Sequence, residues 1–358
     1  MAKKKTFIRA ANALLFSGRE LLLTSTVILL LVFVLFPLCY RSWEKITLPE
    51  DFRLPYANRD NYYLYSRCAE KAAAESSWLL LGDSAIWGMY ASNSETLSAQ
   101  LNRMQKKVRF SNLAIDGLHP VAMKTLMENF GSSIRDRNVL IYFNPLWVNS
   151  AKYDLSGSEK FTVNHPELLP QFGKIACYEA APDKKIRILL DRELLFFSQL
   201  RHIRNCFYNN SDFKSHLAKS GVINPFAAMR QEICPEEKEH HGSKENYLTR
   251  SIPVQHWEWV ELTSSRQWRA LTDTAKLLNS RGNRVTVMIG GINPALLDKP
   301  TLAGLRRLRE EAAKLLQQEN ISFITLPELD AALYADASHP LGTGYALLAS
   351  DLLKKLAI

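Results

Sequence analysis

Only five cysteines occur in 358 residues, and no two stand at Cys-x-x-Cys spacing, which denies the chain the paired-thiol zinc and redox motifs. Internal repeats and low-complexity tracts are lacking too. So is the third glycine of a dinucleotide fingerprint: Gly290-Gly291-Ile292-Asn293-Pro294 is the nearest approach to one, and it lies late in the chain. A strong charge bias is absent from most of the sequence. The formal net charge is +9, but Lys3, Lys4, Lys5, Arg9 and Arg19 supply much of it. Setting these and Glu20 aside from 45 basic and 36 acidic residues leaves 40 against 35, too mild an excess to indicate nucleic-acid binding. The length suffices for a full core, an anchor and one large insertion.

Charge is missing altogether from Leu21 to Cys39, around the apolar centre Val27–Phe36. About 20 such residues in a helix match the hydrocarbon thickness of a bilayer. The run has no polar face, unlike a helix of a soluble core. It is longer than a signal-peptide core and ends Phe36-Pro37-Leu38-Cys39-Tyr40-Arg41 instead of at a small-x-small site. Residues 21–40 therefore read as a retained transmembrane anchor behind a basic cytoplasmic tail, 1–20. Arg41 and Lys45 follow it amid Glu44, Glu50 and Asp51, so the positive-inside bias keeps the N-terminus cytoplasmic. The remainder is expected on the periplasmic or extracellular side of the inner or plasma membrane, where disulfides are permitted. Cys68, Cys177, Cys206 and Cys234 allow three full pairings. One disulfide among the last three, or ordinary buried thiols, are both open readings.

Residues 41–75, with Pro49, Pro55 and a polar-aromatic stretch at Asn61-Tyr62-Tyr63, read as a stalk. The main domain is expected over 76–358. Five strand candidates recur there: Trp78–Leu81, Val108–Leu113, Val139–Phe143, Arg284–Ile289 and Ile321–Leu326. Amphipathic helices alternate with them, one carrying Met123, Leu126, Met127 and Phe130, another Trp268, Leu271, Ala275 and Leu278. Such alternation implies an α/β fold with a parallel sheet covered on both faces. Residues from about 150 to 255 break the rhythm with a helical stretch, Ile186–Phe207, and a charged loop around Pro235–His241. An insertion of this kind serves as a lid, a docking element or a peripheral subdomain.

Chemistry concentrates at two places. Leu79–Leu81 runs into Gly82-Asp83-Ser84, and Asp336-Ala337-Ser338-His339-Pro340 lies far downstream. A serine hydroxyl needs a base to become a nucleophile, and that base needs an acceptor to hold its tautomer. Ser84 as nucleophile, His339 as base and Asp336 as its orienting partner meet these needs by residue type. Asp83 reads as a turn-supporting carboxylate. Ser84, Gly117, Asn144 and Gly290-Gly291 all fall just after strands, which puts them on the sheet edge where α/β proteins bind ligands. Oxyanion donors are expected from Ser84, Gly117 and the side chain of Asn144. His119 reads as structural, His240-His241 as solvated loop, and no metal or cofactor is expected.

The two motifs together resemble the SGNH (GDSL) hydrolase superfamily, and Ser111-Asn112-Leu113-Ala114-Ile115-Asp116-Gly117 looks like its second block. The usual third block, Gly-x-Asn-Asp, is replaced by a strand ending in Asn144-Pro145-Leu146-Trp147, which is similar to the membrane-anchored DltD-like branch. The likeness covers roughly 76–147 and 284–355. It implies a flavodoxin-like three-layer sandwich of SGNH type. It also implies an O-acyltransferase or transfer subunit that moves an acetyl or D-alanyl group, through an ester on Ser84, onto an envelope glycan or teichoic-type polymer. A multi-pass MBOAT-type acyltransferase is the implied partner. A carbohydrate esterase removing such groups and a non-enzymatic assembly factor are the alternatives.

Overall fold

The computed structural model describes residues 16–75, 78–173, 175–208, 210, 215, 229, 231–237 and 245–358. Lys3, Lys4, Lys5, Arg9 and the His240-His241 pair lie outside the described residues. The first element is a helix, α1 (Gly18–Trp43), 26 residues long with a mean hydropathy of 2.7 over its most apolar 18 residues, long and apolar enough to cross a membrane. At 1.5 Å per residue it extends about 39 Å. Ser17 and Glu20 cap its start reciprocally. Over Leu31–Leu35 it widens into one π turn, just ahead of Pro37, which has no N–H to continue the α ladder.

β1 (Trp78–Leu81), β2 (Phe110–Asn112), β3 (Asn138–Phe143), β4 (Arg284–Ile289) and β5 (Ser322–Thr325) form one all-parallel sheet in the order β2-β1-β3-β4-β5. All five expected strands are present, with β2 and β5 shorter than their apolar runs. Among the described residues the further α-helices are α2 (Tyr62–Glu75), α3 (Ser84–Trp87), α4 (Leu97–Met104), α5 (Pro120–Asn129), α6 (Pro182–Glu193), α7 (Leu195–Phe207), α8 (Arg266–Ser280), α9 (Lys299–Gln318) and α10 (Gly342–Leu356). Alternate strand residues point to opposite faces. Leu79, Leu81, Ile141 and Val287 pack against α2, α5, α8 and α9 on one side. Leu80, Leu140 and Met288 pack against α3, α4 and α10 on the other. The α/β architecture thus follows from four runs that bury side chains on both faces and a half-exposed edge strand, β5.

Residues 41–75 are not a stalk. Ile46, Phe52, Leu54 and much of α2 are buried in the main core, and Tyr62 and Tyr63 are at most 5% exposed. Tyr62 and Tyr63 bury their rings while their hydroxyls reach His165 and Glu44. The helical stretch expected over Ile186–Phe207 is two helices, broken at the extended Leu194. No disulfide forms: all five cysteines are free. Cys177 packs with Leu155, Val163 and Leu169 in a small cluster of its own, whereas Cys206 lies against His202.

The end of α1 is fastened to the domain by buried charge. The Glu44 side chain is 1% exposed, with His202 Nε2 at 2.8 Å and Arg67 Nε at 2.7 Å. Asn61 donates to the other ring nitrogen of His202, and Gln199 reaches the Pro37 carbonyl. Burial alone would raise the Glu44 pKa, but His202 and Arg67 outweigh it and hold it below the ordinary carboxylate range. A depressed carboxylate pKa means stability that is present above pH 4.5 and lost as pH falls through the folded value. Removing one member of a buried ion pair typically costs about 3–5 kcal/mol. Glu44→Ala is therefore expected to lower the unfolding free energy of the detergent-solubilised chain by about 3 kcal/mol and to flatten its acid limb. Urea titrations at several pH values check both effects.

Candidate active site

The turn after β1 is built around one carboxylate. A side chain at Gly82 would put its Cβ 2.7 Å from Ile86 Cγ1 and 3.1 Å from Tyr142 Cβ, so the first turn of α3 can close this tightly only over glycine. Asp83 caps α3, its Oδ1 accepting the Ala85 N–H at 3.0 Å. Its Oδ2 accepts from Asn144 Nδ2 at 2.8 Å and Trp147 Nε1 at 2.6 Å. Burial raises the Asp83 pKa, and these donors oppose the rise without cancelling it. The far end of α3 stops at Gly88, whose φ of 91° suits glycine, and there the buried Arg53 donates to the Gly88 carbonyl at 2.6 Å. Asn112, at the end of β2, donates to the Ile86 carbonyl. Ser84 is thus held at the head of a helix braced from three sides.

The loop carrying Asp336 and His339 meets this turn. His339 Nε2 lies 2.8 Å from Ser84 Oγ, and Nδ1 lies 2.8 Å from both Asp336 oxygens. An ionised carboxylate only accepts, so the Asp336 contact assigns the proton to Nδ1 and leaves Nε2 free to accept from the serine. Asp336 Oδ1 also accepts the Ser338 and His339 N–H groups at 2.9 and 3.0 Å. The loop itself is held by Asn293, whose N–H donates to the Ala337 carbonyl and whose amide reaches the Asp336 carbonyl. Burial disfavours the charged His339 ring. The hydrogen bond and charge of Asp336, aided by Asp83 and Asp116, outweigh it and raise the pKa. Asp336 moves the other way: burial would raise its pKa, yet His339 and the two N–H groups hold it down.

The structure thus brings Ser84, His339 and Asp336 together across 255 positions of sequence. Gly117 sits after β2 with φ 71°, and the amide nitrogen of Asn164 lies 2.8 Å from where its Cβ would be. Asn144 takes a different position from an open donor. It is 1% exposed, its amide on Asp83 and its oxygen accepting the Leu146 N–H. His119 is fully buried, accepts the Ala122 N–H and contacts the Asn164 carbonyl, and burial pushes its pKa down to about 3. Gly290 carries the Tyr142 phenol against its Cα, which leaves no space there for a Cβ.

Sequence reasoning missed Arg53, Trp147, Asn164 and Tyr90, whose ring stands edge-on to His339 at 5.5 Å. Trp147 stands in the strand-end motif Asn144-Pro145-Leu146-Trp147, and its indole contact with Asp83, 64 positions away, has no sequence signature. Asn164 and Arg53 lie in segments without a motif. Among the described residues no three His, Cys, Asp or Glu side chains converge as metal ligands. The assembled groups can move one proton from a hydroxyl to an imidazole and stabilise the imidazolium that results.

The raised His339 pKa is directly measurable. Its ring, isotopically labelled in the full chain, is expected to titrate above the ordinary 6.5. Asp336→Asn removes the raising partner and leaves the burial, so the midpoint is expected to fall below 6.5. An NMR titration showing the same midpoint in both chains would contradict the assigned contact.

No protein-family model matches this chain, and no curated protein matches it.

Proposed function

We propose that this chain is a membrane-anchored acyltransferase, or the transfer subunit of one, of SGNH type. It moves an acyl group such as acetyl or D-alanyl onto a cell-envelope polymer through an ester on Ser84. The observation that carries this reading is the continuous relay from Asp336 through His339 to the Ser84 hydroxyl. The sheet order β2-β1-β3-β4-β5 is that of flavodoxin-like folds and supports the expected sandwich. In the reaction His339 Nε2 takes the serine proton as Oγ bonds the donor's acyl carbon. The bond to the leaving group then breaks, and His339 returns the proton to it. An acceptor hydroxyl of the polymer repeats the cycle on the acyl-serine. The N–H groups of Ser84 and Gly117 are the oxyanion donors in this scheme. Asn144 then acts as support for Asp83.

An acyl donor delivered within the membrane, by an MBOAT-type partner, is supported by the contacts that lead from the site to α1. Asp116, next to Gly117, pairs with Arg59 at 2.9 Å. Tyr63, four residues later, packs on Tyr40 of α1 with ring centroids 6.2 Å apart. The basic tail favours a cytoplasmic N-terminus and an outward-facing domain.

Losing a triad member typically costs three or more orders of magnitude in rate. Ser84→Ala and His339→Ala are expected to abolish polymer acylation in cells while the amount of folded protein stays unchanged. The sign of the change separates the alternatives. Polymer ester content falls in Ser84→Ala if the chain is a transferase and rises if it is an esterase. Unchanged content would remove the covalent mechanism.

Tyr40 and Glu44 belong to the packed junction, so an anchor exchange has to keep the end of α1 intact. A chain with Gly18–Val32 replaced by an unrelated apolar helix is expected to fold and retain the relay, yet to acylate less polymer because partner packing is lost. Full acylation by that chain would argue against contacts between anchor and partner. Polymer ester analysis of cells expressing each form reads this out.

A further inference from the structure

The helix α7 leaves leucines exposed near its start, ahead of the exposed Arg204, and buries Ile203 together with polar residues on the side that faces the protein. Ser198, Gln199 and His202 are buried, whereas Leu195 and Leu200 are 41% and 43% exposed, as is Leu194 at 37% in the turn before it. A helix lying on a protein in water turns polar side chains outward and not leucines. Gln199 donates to the Pro37 carbonyl, and the Ser198 hydroxyl to the Leu195 carbonyl.

The position of this turn along α1 agrees. Phe196 packs on Phe33 and Phe36 with ring centroids 5.3 and 5.6 Å apart, and Phe197 packs on Phe33 at 5.9 Å. Phe36 and Phe33 precede Trp43, the last residue of α1, by seven and ten positions. At 1.5 Å per residue the aromatic contact lies about 10 to 15 Å along the axis from that end. Trp43 is 73% exposed, a residue suited to the membrane–water boundary. An aromatic cluster that far below it sits beside residues in the hydrocarbon.

We propose that the turn between α6 and α7, Leu194–Phe197, is immersed in the acyl chains of the leaflet on the domain's side, next to the second half of α1. This rests on α1 spanning a bilayer, as argued above. The chain then grips the membrane at two points, and the domain cannot swing about a single tether. Lys184, Lys185 and Arg204 lie at the ends remote from the turn, suited to the headgroup layer, while the charges next to it, Arg192 and Glu193, pair with each other at 3.3 Å.

The test uses the full chain in nanodiscs of phosphatidylcholine and phosphatidylglycerol, with Cys39, Cys206 and Cys234 replaced by alanine. A nitroxide is attached in turn at Leu195→Cys, at Leu30→Cys inside α1, and at Gln318→Cys at the end of α9. Oxygen, which concentrates in lipid, and a water-soluble nickel chelate compete to relax the label. The oxygen-to-nickel collision ratio at position 195 is expected to match that at 30 and to exceed that at 318 several-fold. Lipid-like exposure at 30 with water-like exposure at 195 overturns the immersion and leaves the anchor standing. Water-like exposure at both positions overturns the anchor as well. A label at 195 shielded from both reagents means a protein surface covers the turn, which also overturns the proposal. Leu194→Cys repeats the measurement one residue away, so that a label-induced distortion at 195 cannot decide the outcome.

Discussion

The Asp83 carboxylate is the constraint on which the site depends. It is buried, it follows a glycine that admits no side chain, and its donors come from two different parts of the sheet. One oxygen fixes the start of α3 and so the direction of Ser84. The other ties that turn to Asn144 and Trp147 beyond β3. A buried carboxylate with fewer donors would protonate or draw in water, and the turn would lose its brace. The Asp336–His339 loop can meet Ser84 at hydrogen-bond distance only because the serine side of the contact is already immobile.

The same economy links the site to the helix α1. Arg53 caps α3 from a segment that continues directly from the end of α1, and its guanidinium stacks on Trp87 at 4.3 Å. Glu44, nine residues earlier, is clamped by His202 and Arg67. Two buried charges in one short segment therefore join the apolar helix, α7 and the turn that carries Ser84. Each is costly to bury and tolerated because its partners are in place, and together they make the segment rigid.

Much of this was legible in the sequence, for reasons that differ by element. The five strands announced themselves as short apolar runs, and β3 and β4 were read within a residue of their bounds. Ser84, His339 and Asp336 were legible because a hydroxyl–imidazole–carboxylate relay takes those residue types and strand ends supply the edge. Residues 41–75 were not legible, since prolines and tyrosines read as an exposed connection when nothing reveals that the rings are covered. Arg53 and Glu44 carry charge, and charge is outside by default. The break at Leu194 was hidden because its leucines continue a helical pattern on both sides. Asn144 was placed correctly at a strand end, but its partner, a residue 61 positions earlier, has no sequence signature.

The π turn at Leu31–Leu35 has a consequence for how α1 tolerates change in length. A π turn holds one residue more than the α turn it replaces, so the helical faces on either side keep their mutual phase only because the surplus is absorbed there. Deleting one residue within Leu31–Leu35 converts the turn to regular α-helix and leaves the Ser17–Glu20 cap and the Phe36–Tyr40 contacts facing as they do now. Deleting one residue elsewhere in α1 rotates everything upstream by about 100°. Natural variation in the length of this helix should therefore collect at one place, immediately before Pro37.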